Sequence, residues 1–336
     1  MHVLNVRNVH QALPVGLHLL ETEGRWTENR NSGTMGRALV FPMAVTTVYQ
    51  RPLERVIFWA QRDANPFFHL YESLWMLGGR NDLAPLLRYV STFGQFSDNG
   101  DTLHGAYGHR WRHWFGRDQL SLICHQLKAN SNDRRAVLQM WDASIDLGLG
   151  GKDVPCNLIA TFQVNKATTG LDLVVFCRSN DVVWGTYGAN AVHFSYLLEY
   201  VARQSGYPVG SYSQVSVNYH AYEKTLDGLK RMPRATAASK VYDPYTAGEV
   251  KPVPLPSKHL DYKIQKLLEW VDSDYEVTQV LDTSWERMVA DVLYSHYLFK
   301  GFGVGTAMEH LEKTGSIQTD WGLAAYEWLT RRKVVK

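Results

Sequence analysis

Cysteine is scarce in this chain. Cys124, Cys156 and Cys177 are the only three in 336 residues. The number is odd, and the sequence separations match neither a zinc ribbon nor a disulfide framework, so a reducing compartment is expected. Net charge is also small, at +2. That removes a whole-chain signature for polyanions, and any phosphate chemistry must come from local arginines. No uninterrupted apolar run reaches the roughly 18 residues a membrane span needs. The opening "MHVLNVRNVHQALPVGLHLLE" lacks a basic flank leading into an apolar run, so no signal peptide is expected and the location reads as cytoplasmic. Internal repeats and low-complexity linkers are absent too. What is abundant is aromatic: 11 tryptophans and 18 tyrosines in a chain that is 45% hydrophobic. Such a chain folds, and it has enough apolar surface for one large core or two ordinary ones.

Periodicity predicts an α+β fold. Residues 53–79 read as one helix closing on Gly78-Gly79. Residues 134–141, 158–164, 172–178 and 213–219 alternate like strands. Between the last two, residues 190–204 carry Val192, Tyr196, Leu197 and Tyr200 at helical spacing. The order suggests a mixed, mostly antiparallel sheet with a long buried helix, and no βαβ repeat. Residues 231–262 are dotted with proline and read as irregular. Two amphipathic patterns follow, at 285–300 and 320–332. We therefore divide the chain into a catalytic core, 1–230, and a C-terminal helical extension packed on it, 231–336.

One short stretch stands apart, "DVPCNL" at 153–158. It sets Cys156 after a proline at the mouth of a strand. A packing cysteine needs no such placement. A nucleophile does, because it must be held at a fixed angle and reach a substrate. Four further segments hold polar groups a core would not accept. They are "ENRNSG" with Arg30, "NDRRAV" with Arg134 and Arg135, "CRSNDVVWG" with Arg178, Ser179, Asn180 and Asp181, and "NYHAY" with His220 and Tyr222. Guanidinium forks suit phosphate, and cations beside a thiol raise its thiolate fraction. The set points to a phosphorylated small molecule presented to a thiolate. Arg134 and Arg135 have no evident local acid. "GLGGKD" at 148–153 lacks the spacing of a phosphate loop. His109 and His113 have metal-compatible spacing but no third ligand, so no metal is expected.

Taken in order, "NRNSGT", "YESLWMLGG", "GAYGHRWRHW", "DRRAVLQMW", "VPCN", "CRSNDVVWG" with "NAVHFSYLL", and "NYHAY" resemble the thymidylate synthase family. The likeness covers roughly residues 25–225 and is nearest to the nucleotide hydroxymethylase branch used in phage-type DNA modification. It implies a thymidylate synthase-like fold and a homodimer. It implies that Cys156 adds to C6 of a pyrimidine nucleotide, with Asn157 beside it, and that Glu72 orders water and proton transfers. Tyr107 would assist removal of the C5 proton. Arg30, Arg178 and Ser179 would hold the 5′-phosphate, and Arg134 and Arg135 would reach the partner subunit's ligand. His220 and Tyr222 would grip the sugar, and Asn190 would read the base. Asp181 and Trp184 would meet 5,10-methylenetetrahydrofolate. Neither nucleic acid nor membrane is an expected partner.

The departures carry information as well. Synthases have histidine where Asn157 stands. "RYVSTFGQFSDNGD" lacks the tryptophans that synthases place beside the folate, although Phe93 and Phe96 offer aromatic surface. "TRRKVVK" is unlike their apolar closing tail. A wet site would hydrate the exocyclic methylene intermediate instead of reducing it. The expected activity is thus C5 hydroxymethylation, with dUMP favoured over dCMP because an Asn amide can pair with uracil. The alternatives are a dCMP or CMP hydroxymethylase, a thymidylate synthase making dTMP and dihydrofolate, and an inactive nucleotide- or RNA-binding module.

Overall fold

A computed structural model describes residues 1–28, 35–276 and 281–333. Arg30 lies outside these. The chain divides into two compact units. One comprises Met1–Ala64, Leu122–Trp141 and Cys156–Ala247, and the other Asn65–Ser121, Asp142–Pro155 and Gly248–Lys336. The boundary read at residue 230 falls inside the first unit.

The strands are β1 (His2–Val6), β2 (Arg25–Thr27), β3 (Ala38–Val40), β4 (Val45–Tyr49), β5 (Val137–Gln139), β6 (Asn157–Val164), β7 (Leu171–Asp181) and β8 (Val209–Tyr222). The longer helices are α1 (Val9–Glu23), α2 (Pro66–Leu77), α3 (Gln119–Ala129), α4 (Asn190–Ser205), α5 (Leu260–Asp272), α6 (Ser284–Phe302), α7 (Val304–Thr314) and α8 (Asp320–Lys333).

The first unit is one sheet in the order β1-β4-β8-β7-β6-β5, with β3 also pairing β8 and β2 pairing β3. Its pairs are mostly antiparallel, as expected. The exceptions are β1 with β4 and β7 with β8, both parallel. Parallel neighbours need a crossover, and β7 reaches β8 through α4. A βαβ unit is therefore present where no βαβ repeat was expected. On β7, Leu171, Leu173, Val175 and Cys177 are fully buried, whereas Phe176 keeps 38% of its surface exposed. On β8, Tyr212, Gln214 and Ser216 are buried and Val217 is exposed. Sheet register aligns Gln139, Ile159, Phe176 and Val215 in one row across β5, β6, β7 and β8. The opposite row is the core, covered by α4 and α1.

The α1 helix, not among the expected elements, contains Pro14. Proline cannot donate to the carbonyl four residues earlier. Here that carbonyl, on His10, accepts instead from the Trp59 indole at 2.8 Å. Gly16 lets Tyr187 close on the helix, since a Cβ there would lie 2.2 Å from the ring.

The second unit is built on α2, α5, α6, α7 and α8. The expected helix over 53–79 is only Pro66–Leu77. Pro66 disfavours helical geometry at Asn65, and Asn65 caps the helix by accepting from the Phe68 N–H. All twelve residues of α2 are buried. Phe67 meets the rings of His296 on α6 and Trp328 on α8, at 5.0 and 5.3 Å. A capping box of Thr283 and Glu286 starts α6. The patterns read at 285–300 and 320–332 are α6 and α8. The irregular stretch 231–262 contains a short helix, Pro244–Ala247, and ends where α5 begins.

Candidate active site

Eleven of the expected site residues that the structure describes fall in the first unit, gathered by the sheet. Cys156 immediately precedes β6 and is partly exposed. Its carbonyl accepts from the Arg178 N–H at 2.8 Å, which locks its backbone to β7. Cys177, paired with Asn157 across the strands, is sealed in the core. Burial, together with the neighbouring Cys156, pushes the Cys177 thiol far above its usual range. Two adjacent thiols thus differ in kind, one at the surface and one inert. The Arg178 guanidinium sits 5.7 Å from the Trp141 ring centroid. Ser179 follows it and pairs with Asn218 on β8.

Asp181 ends β7 and pairs with His220. One carboxylate oxygen accepts from the Val183 and Trp184 N–H groups at 2.8 and 2.7 Å, so it caps the wide turn 182–189. The other is buried without a hydrogen-bond partner among the described residues. Burial raises the Asp181 pKa, and the capping bonds and His220 oppose that. Trp184 is 53% exposed, with the Arg62 guanidinium over its ring at 4.2 Å. Arg62 also donates to the Val183 carbonyl, and burial lowers its pKa to about 10. An acceptor oxygen in need of a donor, beside exposed indole, fits a flat heterocycle bearing N–H groups such as a pterin. Arg62 lies in no recognisable motif, and nothing in the sequence signalled it.

His220 and Tyr222 share one face of β8, their rings edge-on at 5.2 Å. Asn190 opens α4, and its amide lies between those of Asn157 and Asn180, at 3.1 and 3.0 Å. Arg134 and Arg135 precede β5 on exposed backbone. The expectation that these two lack a local acid fails for Arg135, which bonds both carboxylate oxygens of Asp133 at 3.1 and 2.8 Å. Those bonds hold the Asp133 pKa at about 2.

Glu72 and Tyr107 belong to the second unit. Glu72 is buried at the middle of α2. Tyr107 is half-buried and begins a short helical turn. Gly108 beside it is required, because a Cβ would lie 2.0 Å from the Met76 carbonyl oxygen. In the same unit, Arg110 forms a fully buried fork with Asp146, at 2.7 and 2.9 Å, and His104 joins the same carboxylate at 2.7 Å. Among the described residues, no group of three His, Cys, Asp or Glu side chains is placed to hold a metal. None of the described helices is long and apolar enough to cross a membrane.

The sequence matches the thymidylate synthase family over residues 21–242. The chain belongs to that family. It is a one-carbon transferase with the family's mixed sheet, and the family uses methylenetetrahydrofolate. Over 99% of its length and 95% of the relative's, it is 48% identical to the deoxyuridylate hydroxymethyltransferase of Pseudomonas phage M6. It is 40% identical to the deoxyuridylate hydroxymethyltransferase of Bacillus phage SP01, over 52% of this chain and 48% of that one. A putative thymidylate synthase of Methanococcoides burtonii is 33% identical over 40% of this chain and 60% of its own.

Proposed function

We propose that this thymidylate synthase family member transfers a hydroxymethyl group to C5 of dUMP, in the cytoplasm, as a step in phage-type DNA modification. One observation carries the reading. The likeness to the M6 phage enzyme runs almost end to end. Within this chain, Cys156 stands at a strand mouth with the Arg178 N–H bonded to its carbonyl.

C5 of uracil is a poor nucleophile. Addition of the Cys156 thiolate to C6 generates an enolate, which makes C5 reactive. Methylenetetrahydrofolate, when bound, supplies the one-carbon unit, and Asp181 and Trp184 are the residues that would hold it. Arg178 and Ser179 bind the 5′-phosphate, with Arg30 assigned by resemblance. His220 and Tyr222 hold the sugar, and Asn190 pairs with the base. Asn190, partly exposed, leaves a polar group at the site, which supports admission of water. Glu72 and Tyr107 are assigned from the family resemblance alone, as the group ordering water and the aid to loss of the C5 proton. The reaction consumes dUMP, the folate's methylene and water. It yields 5-hydroxymethyl-dUMP and tetrahydrofolate.

The half-exposed sheet face that carries Phe176 and Val217 supports a homodimer, since a sheet face with apolar residues needs cover. Arg134 and Arg135 would then serve the partner's phosphate site.

The test is incubation with dUMP, dCMP, UMP or CMP plus methylenetetrahydrofolate, followed by nucleotide mass spectrometry and folate absorbance. The expected product is dUMP plus CH2O without dihydrofolate. A gain of CH2 with stoichiometric dihydrofolate makes the protein a methylating synthase. A gain of CH2O on dCMP alone overturns the base. Failure to release tritium from 5-tritiated nucleotide leaves a binding module.

A further inference from the structure

The amide of Asn190 does not stand alone. The Asn157 Nδ2 donates to its Oδ1 at 3.1 Å. The Asn190 Nδ2 donates in turn to the Asn180 Oδ1 at 3.0 Å. The Asn180 Nδ2 donates to the Ser216 Oγ at 2.9 Å. Asn157, Asn180 and Ser216 are all at most 1% exposed. The relay draws on four elements: β6, β7, α4 and β8. Its close approach depends on Gly185, where a Cβ would lie 2.4 Å from the Asn180 Oδ1 and 3.3 Å from the Asn190 Nδ2.

Each amide has a donor end and an acceptor end. Turning one alone would set oxygen against oxygen on one side and N–H against N–H on the other, inside a buried site. The three can therefore reverse only together. Ser216 can donate or accept, so it follows either sense. The decisive end is Asn157.

We propose that Asn157 and Asn180 are positioning residues that set the hydrogen-bonding sense of Asn190, and so decide which pyrimidine the enzyme accepts. This rests on the reading that Asn190 faces the base. In the observed sense, Asn190 keeps one N–H and one lone pair to offer. Those match the O4 acceptor and N3 donor of uracil. In the reversed sense, the two ends change places and match the N4 donor and N3 acceptor of cytosine.

The test uses two substitutions that each replace an amide by a carboxylate. An Asp at 157 can only accept, so Asn157→Asp forces Asn190 to turn its Nδ2 toward it, and Asn180 must follow. An Asp at 180 still accepts from the Asn190 Nδ2, and Ser216 donates to its other oxygen, so Asn180→Asp keeps the sense. Asn180→Ala removes the anchor. The readout is the dUMP:dCMP ratio of kcat/KM, repeated as the ratio of Kd values by calorimetry in a Cys156→Ala background. The ratio should fall about tenfold or more in Asn157→Asp, the scale of one buried hydrogen bond reversed. It should stay within about twofold of the parent in Asn180→Asp. Asn180→Ala should lie between them, which makes Asn180→Asp its rescue. Equal shifts in the two Asp variants, or no shift in either, overturn the proposal. If Asn157→Asp does not fold, Asn180→Ala against Asn180→Asp decides, and equal ratios overturn it. Wild-type protein that turns over no pyrimidine nucleotide defeats the functional reading. An active wild type with unmoved ratios defeats only the relay.

Discussion

Acid should weaken this fold through histidines that the catalytic reading does not use. His10 stacks on Trp59, with ring centroids 4.6 Å apart and planes nearly parallel. Its Nδ1 accepts from the Phe58 N–H at 3.2 Å, which leaves Nε2 to donate to the Tyr242 carbonyl at 3.1 Å. A second proton would set N–H against N–H. Burial is the largest cause, and it lowers the His10 pKa from 6.5 to about 4 despite the nearby Asp243. Burial likewise lowers His296, in the second unit, to about 3. The unfolded chain returns both to about 6.5, so below that pH it binds more protons than the folded chain. Stability from these groups is present above pH 6.5. It is lost as pH falls through 6.5 toward 4 for His10 and toward 3 for His296. From pH 7.5 to 5 each contributes a loss of about 2 kcal/mol, or about 4 kcal/mol together. The assay is urea unfolding at both pH values for the parent and for His10→Gln. The substitution weakens the protein at either pH by losing the stack. It should also cut the acid-induced loss by about 2 kcal/mol. Carboxylate titrations are common to both proteins and cancel. Parallel losses in parent and variant would refute the argument that the folded His10 stays neutral.

Cys156→Ala should abolish tritium release while leaving dUMP binding measurable, whereas Cys177→Ala should keep most activity; iodoacetamide on the native protein should label one site and lose it in Cys156→Ala. Subunit exchange between Cys156→Ala and Arg135→Ala chains should restore partial activity that neither homodimer has; no recovery despite confirmed exchange counts against a shared site. Asp146→Asn should destabilise by about 3–5 kcal/mol in denaturant unfolding, because it strips the charge partner from the fully buried Arg110. A loss under about 1 kcal/mol would show that the fork is replaceable by neutral amide bonds.

Much of this protein was readable without coordinates because its signals are local. Alternation marked β6 and β7, helical spacing marked α4 and the two C-terminal helices α6 and α8, and a proline singled out Cys156 as the candidate nucleophile. The ordered motifs carried the family. Signals that rest on distant partners were not readable. Pro14 sits inside α1, and Trp59, far along the chain, supplies the donor that its broken hydrogen bond needs. Pro66 cut the long helix read over 53–79, because Asn65 found a capping geometry there. Arg135 was thought free of acid until its backbone turned it onto Asp133. The amide relay is the clearest case. Residues 157, 180, 190 and 216 meet through one strand register, a bulge after Asn157 and one crossover helix. Sequence determined which amides exist. The fold alone decided that they touch, because a hydrogen bond between side chains depends on register, and register is a property of the assembled sheet.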